Sequence, residues 1–175
     1  KPEYCAADIL ARCEHDQNAC GVLATTSRQL AEATVKEIAK QLPQRGRKEV
    51  TQVALGRYSA IILFDTMDEV IAFANDYSAE HLEIQTVDPW ATCARIQNAG
   101  SIFLGDYAPV AVGDYASGTN HCLPTGKAPK VTSPIGVDTF LKKSEIQFIT
   151  KQGLETLAPI ITTISDVETL DAHKN

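Results

Sequence analysis

The chain has 175 residues, 44% of them hydrophobic, and a formal net charge of −6. That apolar content supports one packed domain with a small appendage and excludes a disordered chain. The acidic balance, with no run of Lys or Arg, excludes a nucleic-acid face. The nearest candidate, "QRGRK" at 44–48, reads as a solvated turn between two periodic segments.

In chain order, residues 3–16 suit a helix with Ala6, Ile9 and Leu10 on its apolar side. "GVLATT" (21–26) reads as a buried strand. Ser27 then caps a helix whose inward positions are Leu30, Thr34, Val35, Ile38 and Leu42. "SAIILF" (59–64) is a second strand, and "TMDE" from Thr66 to Glu69 is a capping box that opens a helix through Val70, Phe73 and Ala74. "LEIQT" (82–86) is a third strand. Asp88 caps a helix with Pro89 at its first position, where a missing N–H costs little. "SIFLG" (101–105) is a fourth strand.

This alternation predicts an α/β fold: a mostly parallel, Rossmann-like sheet covered by helices over 1–136. Such sheets place ligands at the carboxyl ends of their strands. No glycine-rich dinucleotide or phosphate fingerprint occurs. Residues 105–136 read as a long irregular loop of the kind that usually carries function. Residues 137–175 read as a helical tail, with "SDVE" (165–168) as a capping box that starts its last short helix.

Nothing in the sequence resembles a membrane span or a signal peptide. The five cysteines are odd in number and form no C-x-x-C. Reduced thiols in a cytoplasmic protein are therefore expected, rather than a disulfide framework.

All four histidines fall in polar clusters: "RCEHD" (12–16), "EHLE" (80–83), "GDYASGTNH" (113–121) and "ETLDAHKN" (168–175). Glu80 and His81 stand immediately before a strand. A carboxylate beside an imidazole suits general acid–base work near neutral pH, but the pair could equally cap a helix end. Asp114 and His121 flank small residues that let backbone approach a ligand. Asp with His suits a zinc ion, and an Asx turn would also account for Asp114. Cys122 follows His121 directly, yet sequence neighbours are seldom placed for proton transfer, and nothing marks this thiol as activated.

"SAEHLEI", "AGSIFLG…PVAVGDYASGTNHCLPT", "VDTFLKK" and "LDAHKN" closely resemble the C-terminal part of the histidinol dehydrogenases, and "KPEYCAADILARCEHDQNA" fits the same family. The resemblance covers essentially the whole sequence. It implies oxidation of L-histidinol to L-histidine in two NAD-dependent steps through an aldehyde. It implies Glu80 and His81 as the catalytic pair: Glu80 activating water at the aldehyde stage, His81 removing the alcohol proton. It implies zinc held by His15, Asp114 and His173, and a substrate contacted by His15, His81, Asp114, His121, Glu168 and His173. It also implies a homodimer in which the tail bearing Glu168 and His173 crosses to the partner subunit. The region that contacts NAD lies in a part of the family chain outside this sequence, so no cofactor-binding residue is assigned and the chain alone is not expected to turn over.

The sequence departs from the family in two places. The family has a fourth zinc ligand, a Gln one helical turn before the first His, and Arg12 stands there in this chain. "GKAPKVTSPIG" replaces an aromatic, glycine-rich run after "LPT". The other reading is therefore a zinc-free or non-catalytic relative whose site residues are structural. The enzymatic reading expects Glu80 and His81 close to Asp114 on one rim of the sheet. It also expects "SDVETLDAHK" to form a short helix.

Overall fold

The computed structural model describes residues 1–174. Contacts divide the chain into a unit from Lys1 to Thr139 and a C-terminal unit from Phe140 onward.

The first unit is α/β. Helix α1 (Pro2–Cys13) precedes strand β1 (Val22–Thr25), α2 (Arg28–Gln41), α3 (Lys48–Arg57) and β2 (Ala60–Leu63). Helix α4 (Met67–Tyr77), β3 (His81–Ile84), α5 (Pro89–Cys93), β4 (Ser101–Leu104) and α6 (Val110–Tyr115) follow. All strand pairing is parallel, as alternating strands and helices require. It comes in two separate pairs rather than one ladder. β1 pairs with β2 from Val22↔Ala60 to Thr25↔Leu63. β3 pairs with β4 from His81↔Ser101 to Ile84↔Leu104.

The helix starts follow from local chemistry. Ser27 Oγ accepts from the Leu30 N–H at the head of α2. At α4, Thr66 Oγ1 accepts from the Glu69 N–H, and Glu69 Oε2 accepts from the Thr66 N–H in return. Asp88 Oδ1 accepts from the Ala91 N–H behind Pro89. Each cap satisfies a donor that the helix itself leaves unpaired. Ser78 closes α4 in the left-handed region, with φ of 55°, and turns the chain straight into β3. The core joins Ile9 and Cys13 of α1 to Ala54 of α3, with Leu23, Ile38 and Leu55 packed around them.

Three sequence expectations need correction. Residues 48–57 carried no element in the sequence reading but form α3. Thr51 occupies a fully buried position there and gives its hydroxyl proton to Arg47 O at 3.0 Å, so a polar residue hides the apolar period. Residues 110–115, read as irregular, form α6. This short helix buries only Gly113, so no side-chain period announces it. The capping box at Ser165 is not one. Helix α7 (Lys151–Glu168) runs through that position unbroken and is capped instead by Thr150, whose side chain accepts from the Gly153 N–H. It ends at Thr169, φ 59°, before a 3-10 turn over Asp171–Lys174. Glu168 and His173 therefore belong to different helical segments. No helix among the described residues is long and apolar enough to cross a membrane.

Candidate active site

The site is assembled on α1 and the start of β3. Cys5, Asp8, Arg12 and His15 are spaced three, four and three residues apart, so they share one side of α1 and its extension. That polar stripe meets β3 and its continuation in reverse order. Cys5 Sγ donates to Gln85 Oε1 at 3.6 Å. Gln85 Nε2 donates to both Asp8 Oδ2 and Glu83 Oε2, each at 3.1 Å. Arg12 Nη2 donates to Glu80 Oε2 at 3.1 Å. Thus α1 lies antiparallel to β3, and each helical turn is fixed by a polar contact.

Around Glu80, the geometry gathers the chemistry. Glu80 Oε1 lies 3.5 Å from His81 Nδ1, and Asp114 Oδ1 lies 3.8 Å from His81 Nε2. Both imidazole nitrogens are buried and neither has a hydrogen-bond partner. An orphaned pair of this kind is costly in a finished core and suits a group waiting for a ligand. The ring lies against Phe103 of β4, centroids 6.1 Å apart. Burial pushes the imidazole below its ordinary value, assisted by the Arg12 charge, while Glu80 and Asp114 pull the other way. Burial thus favours the neutral imidazole.

Two glycines permit this packing. A Cβ on Gly100 would stand 2.5 Å from Glu80 O. A Cβ on Gly113 would stand 2.6 Å from the Phe103 ring, so α6 can lie on β4 only with glycine there, which brings the adjacent Asp114 to His81.

Beside the cluster is a cavity of about 80 Å³ whose lining includes Arg12, Glu14, His15 and Asp114. His15 is exposed at its edge. His121 is exposed and makes no hydrogen bond or ion pair among the described residues. Its neighbour Asn120 closes a local turn, accepting from the Cys122 N–H at 2.7 Å. Glu168 and His173 lie in the C-terminal unit, where the His173 N–H donates to Leu170 O at 3.0 Å. Among the described residues, no three His, Cys, Asp or Glu side chains cluster closely enough to hold a metal.

The sequence assigns no individual role to Asp8, Glu14, Glu83, Gln85 or Phe103, although Glu14 and Glu83 fall in two of the polar clusters. The helical spacing of polar residues on an otherwise apolar α1 was the available signal for Asp8. Glu83, Gln85 and Phe103 depend on what β3, its continuation and β4 face, and Glu14 on where α1 ends.

Glu83 makes its own prediction. Burial first, then the hydrogen bond and charge of Asp8, push its carboxyl from the ordinary 4.5 up to about 8. The folded chain therefore holds a proton that the unfolded chain gives up, and stability falls as pH rises between those values. His81 acts in the opposite sense, since its lowered folded value adds stability as pH rises toward 6.5 and nothing further above it. Between pH 6.5 and about 8 the falling limb is left to Glu83. Urea unfolding should show a loss of about 1 kcal/mol per pH unit in that window. Glu83→Gln should flatten it, and a variant as steep as the parent would refute the assignment.

A carboxylate, an imidazole and a second carboxylate thus converge at the start of a parallel strand pair in an α/β unit. Comparison with known proteins identifies the family. The family model "Histidinol dehydrogenase" matches residues 1–175. The histidinol dehydrogenase of Haloarcula marismortui is 45% identical over 173 residues, covering 98% of this chain and 41% of the relative. That of Methanosarcina mazei is 46% identical over 168 residues, covering 96% and 39%. The crystal structure of histidinol dehydrogenase from Elizabethkingia anophelis superposes with a TM-score of 0.92 at 37% identity, over 99% of this chain and 40% of that one. This chain belongs to the histidinol dehydrogenase family, a family of oxidoreductases. It spans about two fifths of the length of these relatives.

Proposed function

We propose that the protein carrying this chain oxidises L-histidinol to L-histidine, the closing oxidation of histidine biosynthesis, with NAD as acceptor. The observation that carries the proposal is the convergence of Glu80, His81 and Asp114 at one end of β3. At the alcohol stage His81 would take the hydroxyl proton of the substrate; NAD, when bound, would supply the hydride acceptor at both oxidations. In the second, Glu80 takes a proton from water as its oxygen adds to the aldehyde carbon. Oxidation of the hydrate would give the carboxylate, its remaining acidic proton passing to solvent. A neutral buried imidazole and a carboxylate held in place by an ion pair fit these two roles. His15, Asp114, His121, Glu168 and His173 are proposed to contact the substrate. NAD contacts are proposed to come mainly from the portion of the family that this chain does not cover.

Zinc is the metal that the resemblance implies, with His15, Asp114 and His173 as its ligands. The cavity that His15 and Asp114 line is also lined by Arg12. A guanidinium offers no lone pair and repels a dication. The residues present do not fit a four-ligand zinc site, and no step above passes through a metal.

A homodimer is the proposed assembly. Leu157, Ile160, Ile161 and Ile164 of α7 repeat at helical spacing and are all exposed, as is Leu170 beyond it. A partner subunit would cover this stripe.

The test is an assay of the protein with L-histidinol and NAD, following NADH and L-histidine together. Two NADH per histidine are expected. No oxidation by a protein of full family length would overturn the reading.

A further inference from the structure

We infer that Arg12 is the resident cation of this site: its guanidinium holds Glu80 in place and keeps the adjoining cavity from taking up zinc. The inference deepens the proposed function but rests only on where the site lies, not on the reaction assigned to it.

The fold delivers Arg12 to Glu80 and leaves it little choice. The contacts of Cys5 and Asp8 with Gln85 fix the register of α1 on β3 over the preceding two turns. One turn further along Arg12 meets Glu80 at 3.1 Å, with both side chains partly buried. Such a pair is screened less than one on the surface, and a planar guanidinium holds a carboxylate in a defined orientation.

The same side chain faces the cavity beside Glu14, His15 and Asp114. Without Arg12, two carboxylates and an imidazole would remain on that lining, Glu14, Asp114 and His15, and Glu80 would lose its partner. Oxygen and nitrogen donors with net negative charge attract a divalent cation. With Arg12 present, one positive charge already sits among them, engages Glu80 and opposes a second cation at short range. One residue therefore sets the charge that an incoming cation would meet there.

Zinc titration followed by calorimetry, with cobalt(II) absorption as a spectroscopic probe, tests this without any turnover. The parent chain should take up no stoichiometric zinc. Arg12→Gln removes the charge and offers an amide oxygen, and it should bind zinc at least roughly 100-fold more tightly than the parent. Arg12→Lys keeps the charge and should behave like the parent. Adding Asp114→Asn to Arg12→Gln should abolish the gain and the cobalt spectrum, which separates this cavity from adventitious binding by exposed histidines. Circular dichroism confirms that each variant is folded, and the parent's own zinc content is a test that needs no variant. Stoichiometric zinc in the parent that Asp114→Asn removes would overturn the inference. So would a folded Arg12→Gln chain that binds no better than the parent. If the metal results hold but L-histidinol is not oxidised, the reaction assignment alone falls.

Discussion

Replacing His81 with Asn, or Glu80 with Gln, is expected to lower turnover about 10²–10⁴-fold, the usual worth of a positioned acid or base. The two variants should fail differently. His81→Asn would remove the proposed base for the alcohol proton, so NADH formation should be slow from the first turnover. Glu80→Gln leaves His81 in place and removes the group that activates water. It should release one NADH per site rapidly and then stall with aldehyde accumulating. Quenched-flow measurement of NADH alongside trapping of the aldehyde separates the two patterns. Both variants turning over like the parent would show that the Glu80–His81 pair is structural. The stall also bears on Arg12. If the guanidinium orients Glu80, Arg12→Lys should show a milder form of the Glu80→Gln pattern, because an ammonium lacks the planar, fixed donor geometry with which Arg12 Nη2 meets Glu80.

The largest stability effect is expected from Gly100→Ala. The new methyl would lie 2.5 Å from Glu80 O, and Glu80 C and Pro124 O would each lie 3.2 Å away. All three are backbone atoms, so no side chain can swing aside. The obstacle is space alone, since Gly100 does not adopt a positive φ. Relief requires β4 to separate from the segment leading into β3, where Gly100 N donates to Ala79 O and Ser101 N to Glu80 O, both at 2.9 Å. Overpacking of this kind costs about 3 kcal/mol. Urea unfolding should show that loss, together with displacement of Glu80. Gly56→Ala is the internal control. It lies in α3 with nothing within 4 Å of the added methyl, and should stabilise the chain by about 0.5–1 kcal/mol through helix propensity. A Gly100→Ala chain as stable as the parent would mean that β3 and β4 approach less closely than described.

Much of the fold was legible in the sequence because it is decided within a few residues. Ser27, the Thr66–Glu69 box and Asp88 with Pro89 each satisfy or omit a donor three residues away, whatever surrounds them. The four strands are short apolar runs separated by helical periods, and that alternation requires parallel pairing. The candidate site was legible only as chemistry. Glu80 beside His81, and Asp114 among small residues, named the groups without saying which would meet.

Tertiary structure decided the rest. Helix α6 exists where Gly113 can rest on Phe103, a contact no local pattern encodes. Ser165 looks like a cap because its neighbours fit the motif, yet α7 had already started at Thr150 and a helix under way has no orphan donor for Ser165 to satisfy. The Arg12–Glu80 pair joins residues 68 positions apart. It depends on the register of α1 against β3, which Cys5, Asp8 and Gln85 fix together. The sequence by itself thus determined the caps, the parallel strands and the acid–base groups, because short-range hydrogen bonds and periodicity suffice for those. Only the packed chain decided which charge faces which, because that follows from how a helix lies along a strand.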